Sequence, residues 1–314
     1  MQDLEKKLKQ ARELSWERFG KRITFYVPGM FSLNGIKGKY PAVSITGNDC
    51  ALHCDHCAGK LLQTMIPAPA PVELVETCRS LKERGALGVL LSGGCDDRGR
   101  LPWETFVPAI TQIKKETGLY VSVHCGLLDH GTAAQLKRAG VDQALLDVIG
   151  DDRTYRDVYH VPFGVSRIAS TLNALARAGL PVIPHVVCGL YYGKLVGEMR
   201  ALDMIAPLRP EQVVIVSLMG IRGSFMEKLP GPRAEEIAEI VAEARLKMPY
   251  SLISLGCARE RGNSVIDTLA IRAGVNRMVI PSDEAIDLAR KYGLEIRYQR
   301  TCCSVSADFA REAW

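Results

Sequence analysis

Residues 141–187 read VDQALLDVIGDDRTYRDVYHVPFGVSRIASTLNALARAGLPVIPHVV. The apolar run 141–148 has the length and composition of a buried strand, and 181–187 is a second such run. Between them, 165–179 repeats apolar residues at helical spacing and ends at Gly179, the left-handed stop that a helix C-terminus favours. This is a strand–helix–strand unit. The same alternation continues on both sides of it. Further strands are expected at 41–47, 86–92, 119–124, 212–218, 251–255 and 277–280, with helices near 71–84, 102–117, 130–139, 193–206, 233–246, 265–273 and 283–292. Gly140, Gly274 and Gly293 punctuate three more helix ends in the manner of Gly179. Eight such units predict an α/β fold, a closed (β/α)8 TIM-type barrel. An open doubly wound sheet is the alternative, and no Gly-rich dinucleotide fingerprint supports it. The reading divides the chain into an N-terminal helical extension (1–40), the barrel (41–293) and a Cys-containing C-terminal tail (294–314) folded over the barrel mouth.

The 314 residues are 47% hydrophobic and 24% charged, enough to bury a barrel core. A formal charge of +5, with Lys and Arg dispersed, disfavours nucleic acid as partner. No apolar run reaches the length that spans a bilayer, and residues 1–20 form a charged amphipathic helix instead of a signal peptide. A cytoplasmic protein is expected. Ten cysteines are many for such a chain, and in a reducing compartment they point to metal or redox chemistry. Cys78, in a helical stretch, reads as an inert core thiol.

In a parallel barrel the chemistry lies on the loops after the strand C-termini. The first barrel strand runs into GNDCALHCDHCAGK, where Cys50, Cys54 and Cys57 are spaced C-x3-C-x2-C. Three thiolates fill three corners of a 4Fe–4S cube and leave the fourth iron open. Structural zinc would want four closed ligands, usually as paired knuckles, and no second knuckle is present.

A motif of this spacing, at this place in a βα barrel, resembles the radical S-adenosylmethionine (radical SAM) superfamily. The resemblance implies that the open iron chelates the methionyl group of SAM, whose reductive cleavage yields a hydrogen-abstracting 5′-deoxyadenosyl radical. His56 matches the position along the SAM adenine, a solvated loop residue being the alternative. Ser92, Gly93 and Gly94 match the glycine-pair motif that binds the SAM amino group, although a simple tight turn uses the same residues. Cys95 stands where the usual acidic residue follows, with Asp96 next. Asp147 matches a ribose-binding position, against the alternative of a buried, capped carboxylate. Gly189 matches a glycine beneath the adenine, and Met219 to Ser224 resembles the segment lining its edge.

The likeness narrows to the biotin synthase branch over roughly residues 40–300, through AGVDQALLDV, ARAGLPVIPHVVCGL and LAIRAGVNRMVIPSDEAIDLARKYGL. Within that branch, AVSITGNDCALHCDHC, LLSGGCDDRG, ISLGCARERG and the tail Cys302-Cys303-Ser304 resemble the two-component lipoyl synthases of the LipS type, in the subunit that acts first. Both groups insert sulfur drawn from an auxiliary cluster. Where biotin synthase has an arginine ligand on its seventh-strand segment, this chain places Cys257. The resemblance thus implies an auxiliary 4Fe–4S cluster on Cys95, Cys257, Cys302 and Cys303, with Cys125 in reserve and Ser304 as a further ligand candidate. For Cys125 and Cys188, plain burial is the competing reading. The implied substrate is an octanoyl chain on a protein lysine, thiolated first at its terminal carbon. The implied partners are an octanoylated lipoyl-domain protein, a second radical SAM sulfur-insertion protein, and a reductant such as ferredoxin or flavodoxin. Biotin synthesis, hydrogenase-cofactor maturation or a carbon-skeleton rearrangement is the rival within the superfamily. Outside it, the rival is a non-enzymatic electron-transfer module.

Overall fold

A computed structural model describes residues 2–29, 31–33 and 35–309. Among the described residues, thirteen strands form in chain order. They are β1 (Arg22–Tyr26), β2 (Ser32–Leu33), β3 (Ile36–Lys37), β4 (Ala42–Ser44), β5 (Ile66–Pro67), β6 (Gly88–Ser92), β7 (Tyr120–His124), β8 (Gln143–Asp147), β9 (Val182–Cys188), β10 (Gln212–Ser217), β11 (Leu252–Leu255), β12 (Arg277–Val279) and β13 (Glu295–Gln299). The helices are α1 (Gln2–Phe19), α2 (Pro71–Glu83), α3 (Trp103–Thr117), α4 (His130–Arg138), α5 (Asp152–Asp157), α6 (Val165–Arg177), α7 (Glu198–Ile205), α8 (Ala234–Lys247), α9 (Ser264–Arg272) and α10 (Asp283–Lys291).

All eight expected barrel strands are present and adjacent in sequence order, β4-β6-β7-β8-β9-β10-β11-β12, within one curled, parallel, eleven-stranded sheet. Two strands that the sequence reading left outside the barrel join it. β1 pairs with β12, Thr24 opposite Arg277, and β13 pairs with β1, Arg22 opposite Glu295. The supposed helical extension therefore contributes a helix and a sheet strand. A single backbone bond from Lys39 N to Arg300 O (2.6 Å) brings the lead-in of β4 beside the end of β13.

The sheet separates two cores. The larger lies between strands and helices and takes in Val89, Leu91, Val121, Ile110, Leu172 and Ile237; the smaller lies in the lumen around Tyr26, Leu145, Ile183, Val214 and Val279. The C-terminal segment enters this second core, with Cys303 packed among those side chains and Thr301, Ser304 and Val305 fully buried. Its backbone is held by residues that begin strands. Gln212 Nε2 donates to Cys303 O (2.6 Å), Gln143 Nε2 to Ser304 O (2.8 Å) and Arg277 Nη1 to Val305 O (2.7 Å). The expected tail over the mouth is thus corrected. After β13 the chain turns inward and descends through the lumen to the floor, because strand-starting amides and a guanidinium satisfy carbonyls that would otherwise be buried unpaired. Among the described residues, no helix is long and apolar enough to cross a membrane.

Candidate functional site

The loop after β4 carries the three-cysteine motif, and one flank of it is stapled to the loop after β6. Ile45 N donates to Ser92 O (2.8 Å), Ala51 N to Cys95 O (2.8 Å) and Gly94 N to Thr46 Oγ1 (2.7 Å). This explains the glycine pair locally. A Cβ on Gly94 would lie 2.0 Å from Asp49 O and 2.5 Å from Cys50 Cβ, so only glycine lets the two loops touch. Asp96, the acidic residue displaced by one position, is occupied in its own turn: its Oδ1 accepts from Arg98 N and Arg100 N.

The Cys54 carbonyl accepts from both Cys57 N (3.1 Å) and Ala58 N (2.8 Å), closing the motif into a tight turn. Burial raises the thiol pKa of Cys54, and the neighbouring Cys57, Cys50 and Cys95 raise it further; burial likewise raises Cys57. Loading such a site with metal must release protons. Among the described residues no three Cys, His, Asp or Glu side chains converge on a single-ion site. A mononuclear zinc ion has no ready-made shell here, whereas a cube takes its ligands at separated corners. His56 is half-buried against Tyr159, ring centroids 5.3 Å apart, and its buried Nδ1 has no protein partner. A buried polar atom left open in this way suits a bound ligand beside the cluster loop.

Asp147, at the end of β8, faces the lumen mouth. His124 Nε2 lies 3.5 Å from its Oδ1, and the rings of His124 and His185 are 5.9 Å apart. Burial pushes the Asp147 pKa up, but the His124 charge and hydrogen bond, aided by His185 and His56, outweigh it and hold the carboxyl at about 2. Burial opposes charge on His124 too, and Asp147 reverses the balance, leaving that pKa raised. Burial lowers His185 to about 4, so it is neutral at pH 7. Asp147 is thus no isolated carboxylate; it is paired with the His124 imidazole. A cavity of about 120 Å³ adjoins it, lined by Leu52, Cys95, His124, Tyr155, Tyr159 and Phe163 among others. The sequence reading missed His124 and His185, although His124 ends a strand where polar residues deserve suspicion.

The remaining cysteines divide into separate groups. Cys95 lies with the cluster loop: burial raises its thiol to about 12, followed by the effects of Cys50, Asp96 and Cys57. Cys257 lies elsewhere, with Cys302 and Cys303. Cys302 Sγ accepts from the Cys303 thiol and from Ser304 Oγ (3.1 Å), which lowers its pKa, while burial and then Cys302 raise that of Cys257. The four-cysteine set expected for an auxiliary cluster is therefore not gathered; Cys257, Cys302 and Cys303 are brought together and Cys95 is not among them. Cys125 and Cys188 are fully buried in the outer core, the Cys125 thiol donating to Gly126 O (3.3 Å), and Cys78 is buried there as well. Gly189 has a local reason for its identity. At φ 75° its added Cβ would meet Pro232 Cδ at 2.5 Å, and its amide donates to Glu198 Oε1 (2.8 Å).

The sequence profile of the radical SAM superfamily matches residues 44–198. Curated relatives include the biotin synthases of Actinobacillus pleuropneumoniae serotype 7 (strain AP76), 29% identical over 247 residues covering 74% of this chain and 70% of that protein, and of Halorhodospira halophila (strain DSM 244 / SL1), 28% identical with coverage of 76% and 74%. Among solved structures, the fold is similar to methylornithine synthase (PylB), with TM-score 0.64, 18% identity and coverage of 94% of this chain and 89% of that one. It is also similar to HydG, a maturase of the [FeFe]-hydrogenase, with TM-score 0.67, 18% identity and coverage of 94% and 68%.

Proposed function

Since the chain belongs to the radical SAM superfamily, with biotin synthases among its relatives, we propose that it is a sulfur-inserting enzyme of lipoyl cofactor biosynthesis. It acts on an octanoyl chain carried on a protein lysine, at the terminal carbon first. Cys50, Cys54 and Cys57 would hold the SAM-binding 4Fe–4S cluster, which when bound would supply the electron for reductive cleavage of SAM to methionine and a 5′-deoxyadenosyl radical. His56, Ser92, Gly93, Gly94, Asp147 and Gly189 form the SAM surroundings. In this scheme the Gly93-Gly94 turn sets the distance between cluster loop and strand end, and Asp147, kept ionised by His124, offers acceptor oxygens to the ribose hydroxyls.

The observation that carries the sulfur-transfer reading is the meeting of Cys257 with Cys302 and Cys303 in the lumen, below the mouth and apart from the cluster loop. Thiols so placed suit an auxiliary 4Fe–4S cluster as sulfur donor. Biotin synthase itself is the second reading, on the strength of its 29% identity. Arg259, the arginine of the same segment, argues against it. Its guanidinium is buried and engaged by Asp267 (2.7 and 3.2 Å), Gly256 O (2.6 Å) and Val279 O (2.7 Å), leaving it no freedom to serve as a cluster ligand. The partners of this reading are an octanoylated lipoyl-domain protein, a second radical SAM protein that completes the dithiolane, and a ferredoxin or flavodoxin in the cytoplasm.

Iron content tests it. A chain with Cys50, Cys54 and Cys57 all replaced by Ala should retain about four irons, the content of one cube. Cys257→Ala in the otherwise native chain should remove those irons, keep forming 5′-deoxyadenosine under dithionite, and make no thiolated octanoyl-lysyl peptide by mass spectrometry. A triple variant without iron ends the sulfur-insertion reading.

A further inference from the structure

The cluster loop is anchored on one flank by β6, as described; on its other flank, beside the His56–Tyr159 ring contact, Asp55 between the second and third cysteines bonds to the neighbouring loops. Asp55 Oδ1 lies 2.7 Å from His160 Nε2, and the Tyr192 hydroxyl lies 2.8 Å from both Asp55 Oδ2 and Asp157 O. The Asp55 backbone is used as well: its N–H donates to Val158 O (3.0 Å) and its carbonyl accepts from Met226 N (3.2 Å). One short residue therefore ties the cluster loop to the loops that follow β8, β9 and β10.

Both side-chain partners are held in backbone conformations that L-residues avoid. His160 has φ 56° and Tyr192 φ 50°. Such residues persist only where their surroundings over-determine them. Here the surroundings are the Asp55 bonds, the Tyr191–Tyr192 ring contact at 5.3 Å and the Tyr191 hydroxyl donating to Asp157 Oδ2 (3.0 Å). An ordinary solvated carboxylate would not hold two strained residues on two different loops, and the Asp55 side chain is only 18% exposed.

We propose that Asp55 is a positioning residue that locks the cluster loop against the loops after β8, β9 and β10, so that the two halves of the SAM pocket keep their separation. Asp147 lies at the start of the first of these loops and Gly189 at the start of the second. Without the lock, thiols and ribose-side groups still exist but no longer stand at a fixed distance. This inference rests on the SAM-site reading given above and is independent of whether sulfur is inserted.

The test uses anaerobically reconstituted holoenzyme and compares Asp55→Ala, Asp55→Asn and Tyr192→Phe with wild type. The readouts are iron content, the SAM dissociation constant, and amide exchange of peptides spanning 157–161 and 190–194 without SAM. Asp55→Ala should keep its iron, weaken SAM binding at least about tenfold, the scale of a lost charge-assisted hydrogen bond, and speed exchange in both peptides. Asp55→Asn should stay within about threefold of wild type, since the amide oxygen still accepts from His160 and its NH2 can donate to Tyr192, whose hydroxyl then donates to Asp157 O. Tyr192→Phe removes one bond to Asp55 while leaving every residue of the cluster loop in place, and should weaken SAM binding several-fold with full iron. The inference is overturned if Tyr192→Phe and Asp55→Ala both bind SAM within twofold of wild type. It is equally overturned if Asp55→Ala loses its iron while Tyr192→Phe binds SAM normally, for Asp55 would then serve the cluster loop alone. A failure of sulfur insertion would leave all these readouts in place, so the two ideas fail separately.

Discussion

Adding one methyl group at Gly94 should damage the cluster loop out of proportion to its size. The new Cβ would sit 2.0 Å from Asp49 O and 2.5 and 2.6 Å from Cys50 Cβ and Cα. Comfortable non-bonded separation is roughly 3.5 Å, so Cys50 and its neighbours must retreat by about 1 Å or more. These are backbone atoms or directly attached to it, and no rotamer change relieves them. Overpacking of this kind costs about 1–3 kcal/mol of stability, which the barrel can survive. A displacement of about 1 Å in a reacting group can cost on the order of 100-fold in rate. Gly94→Ala should therefore fold, melt a few degrees lower, and form 5′-deoxyadenosine about 100-fold more slowly under dithionite. Gly93→Ala is the graded comparison. Its Cβ meets side-chain atoms of Thr46 at 2.9 and 3.1 Å, which can yield by loosening the Gly94 N to Thr46 Oγ1 bond without moving Cys50, so the loss should be smaller, about tenfold. Gly131→Ala, inside α4 with one contact at 3.4 Å, should lose nothing. Wild-type deoxyadenosine formation by Gly94→Ala would refute the close approach on which the site is built.

Replacing Cys54 by Ala should abolish deoxyadenosine formation, and any retained SAM cleavage would remove the cluster from this loop. Asp147→Asn should drop the His124 pKa below the ordinary 6.5, because burial then acts without the carboxylate that reverses it; a histidine NMR titration reads this, and an unmoved His124 resonance would break the pairing. The signs for stability follow from the shifts. Asp147, lowered from 3.8 to about 2, stabilises the fold above about pH 4 and loses that contribution as pH falls toward 2. His124, raised, stabilises it below pH 6.5 and loses that contribution as pH climbs through its elevated value. Asp267→Ala strands a buried guanidinium, 1% exposed, and should cost about 3–5 kcal/mol in urea unfolding; an unchanged midpoint would contradict the role given to the Arg259 pair.

The eight barrel strands were legible because a strand buried on both faces is written as a predominantly apolar run between turn residues. β1 (RITFY) and β13 (EIRYQ) were not, because Arg22 and Thr24 break up the short apolar stretch of the one, the other alternates charged with apolar residues, and both take their strand character from pairing in the sheet. The C-x3-C-x2-C loop announced itself through spacing alone. Which of the scattered cysteines share a wall of the lumen was invisible, since that depends on where the chain turns after Gln299. Cys95 follows a strand end just as Cys257 does, yet the backbone bond from Ala51 ties it to the first cysteine loop. Asp55 carried no signal beyond being a polar loop residue; its meaning lies in His160 and Tyr192, more than a hundred positions away.

The seating of β1 between β12 and β13 also shapes how the polypeptide is made. Arg22 pairs with Glu295, 273 positions later (295 − 22). At a synthesis rate of roughly 5–20 residues per second, β1 leaves the ribosome about 15–55 seconds before its second neighbour exists. Throughout that interval Ile23 and Phe25, both wholly buried at the end, stand exposed beside unpaired amides. Nascent chains of this protein should lean on a holding chaperone during translation, and a pause late in the message should prolong the hazard.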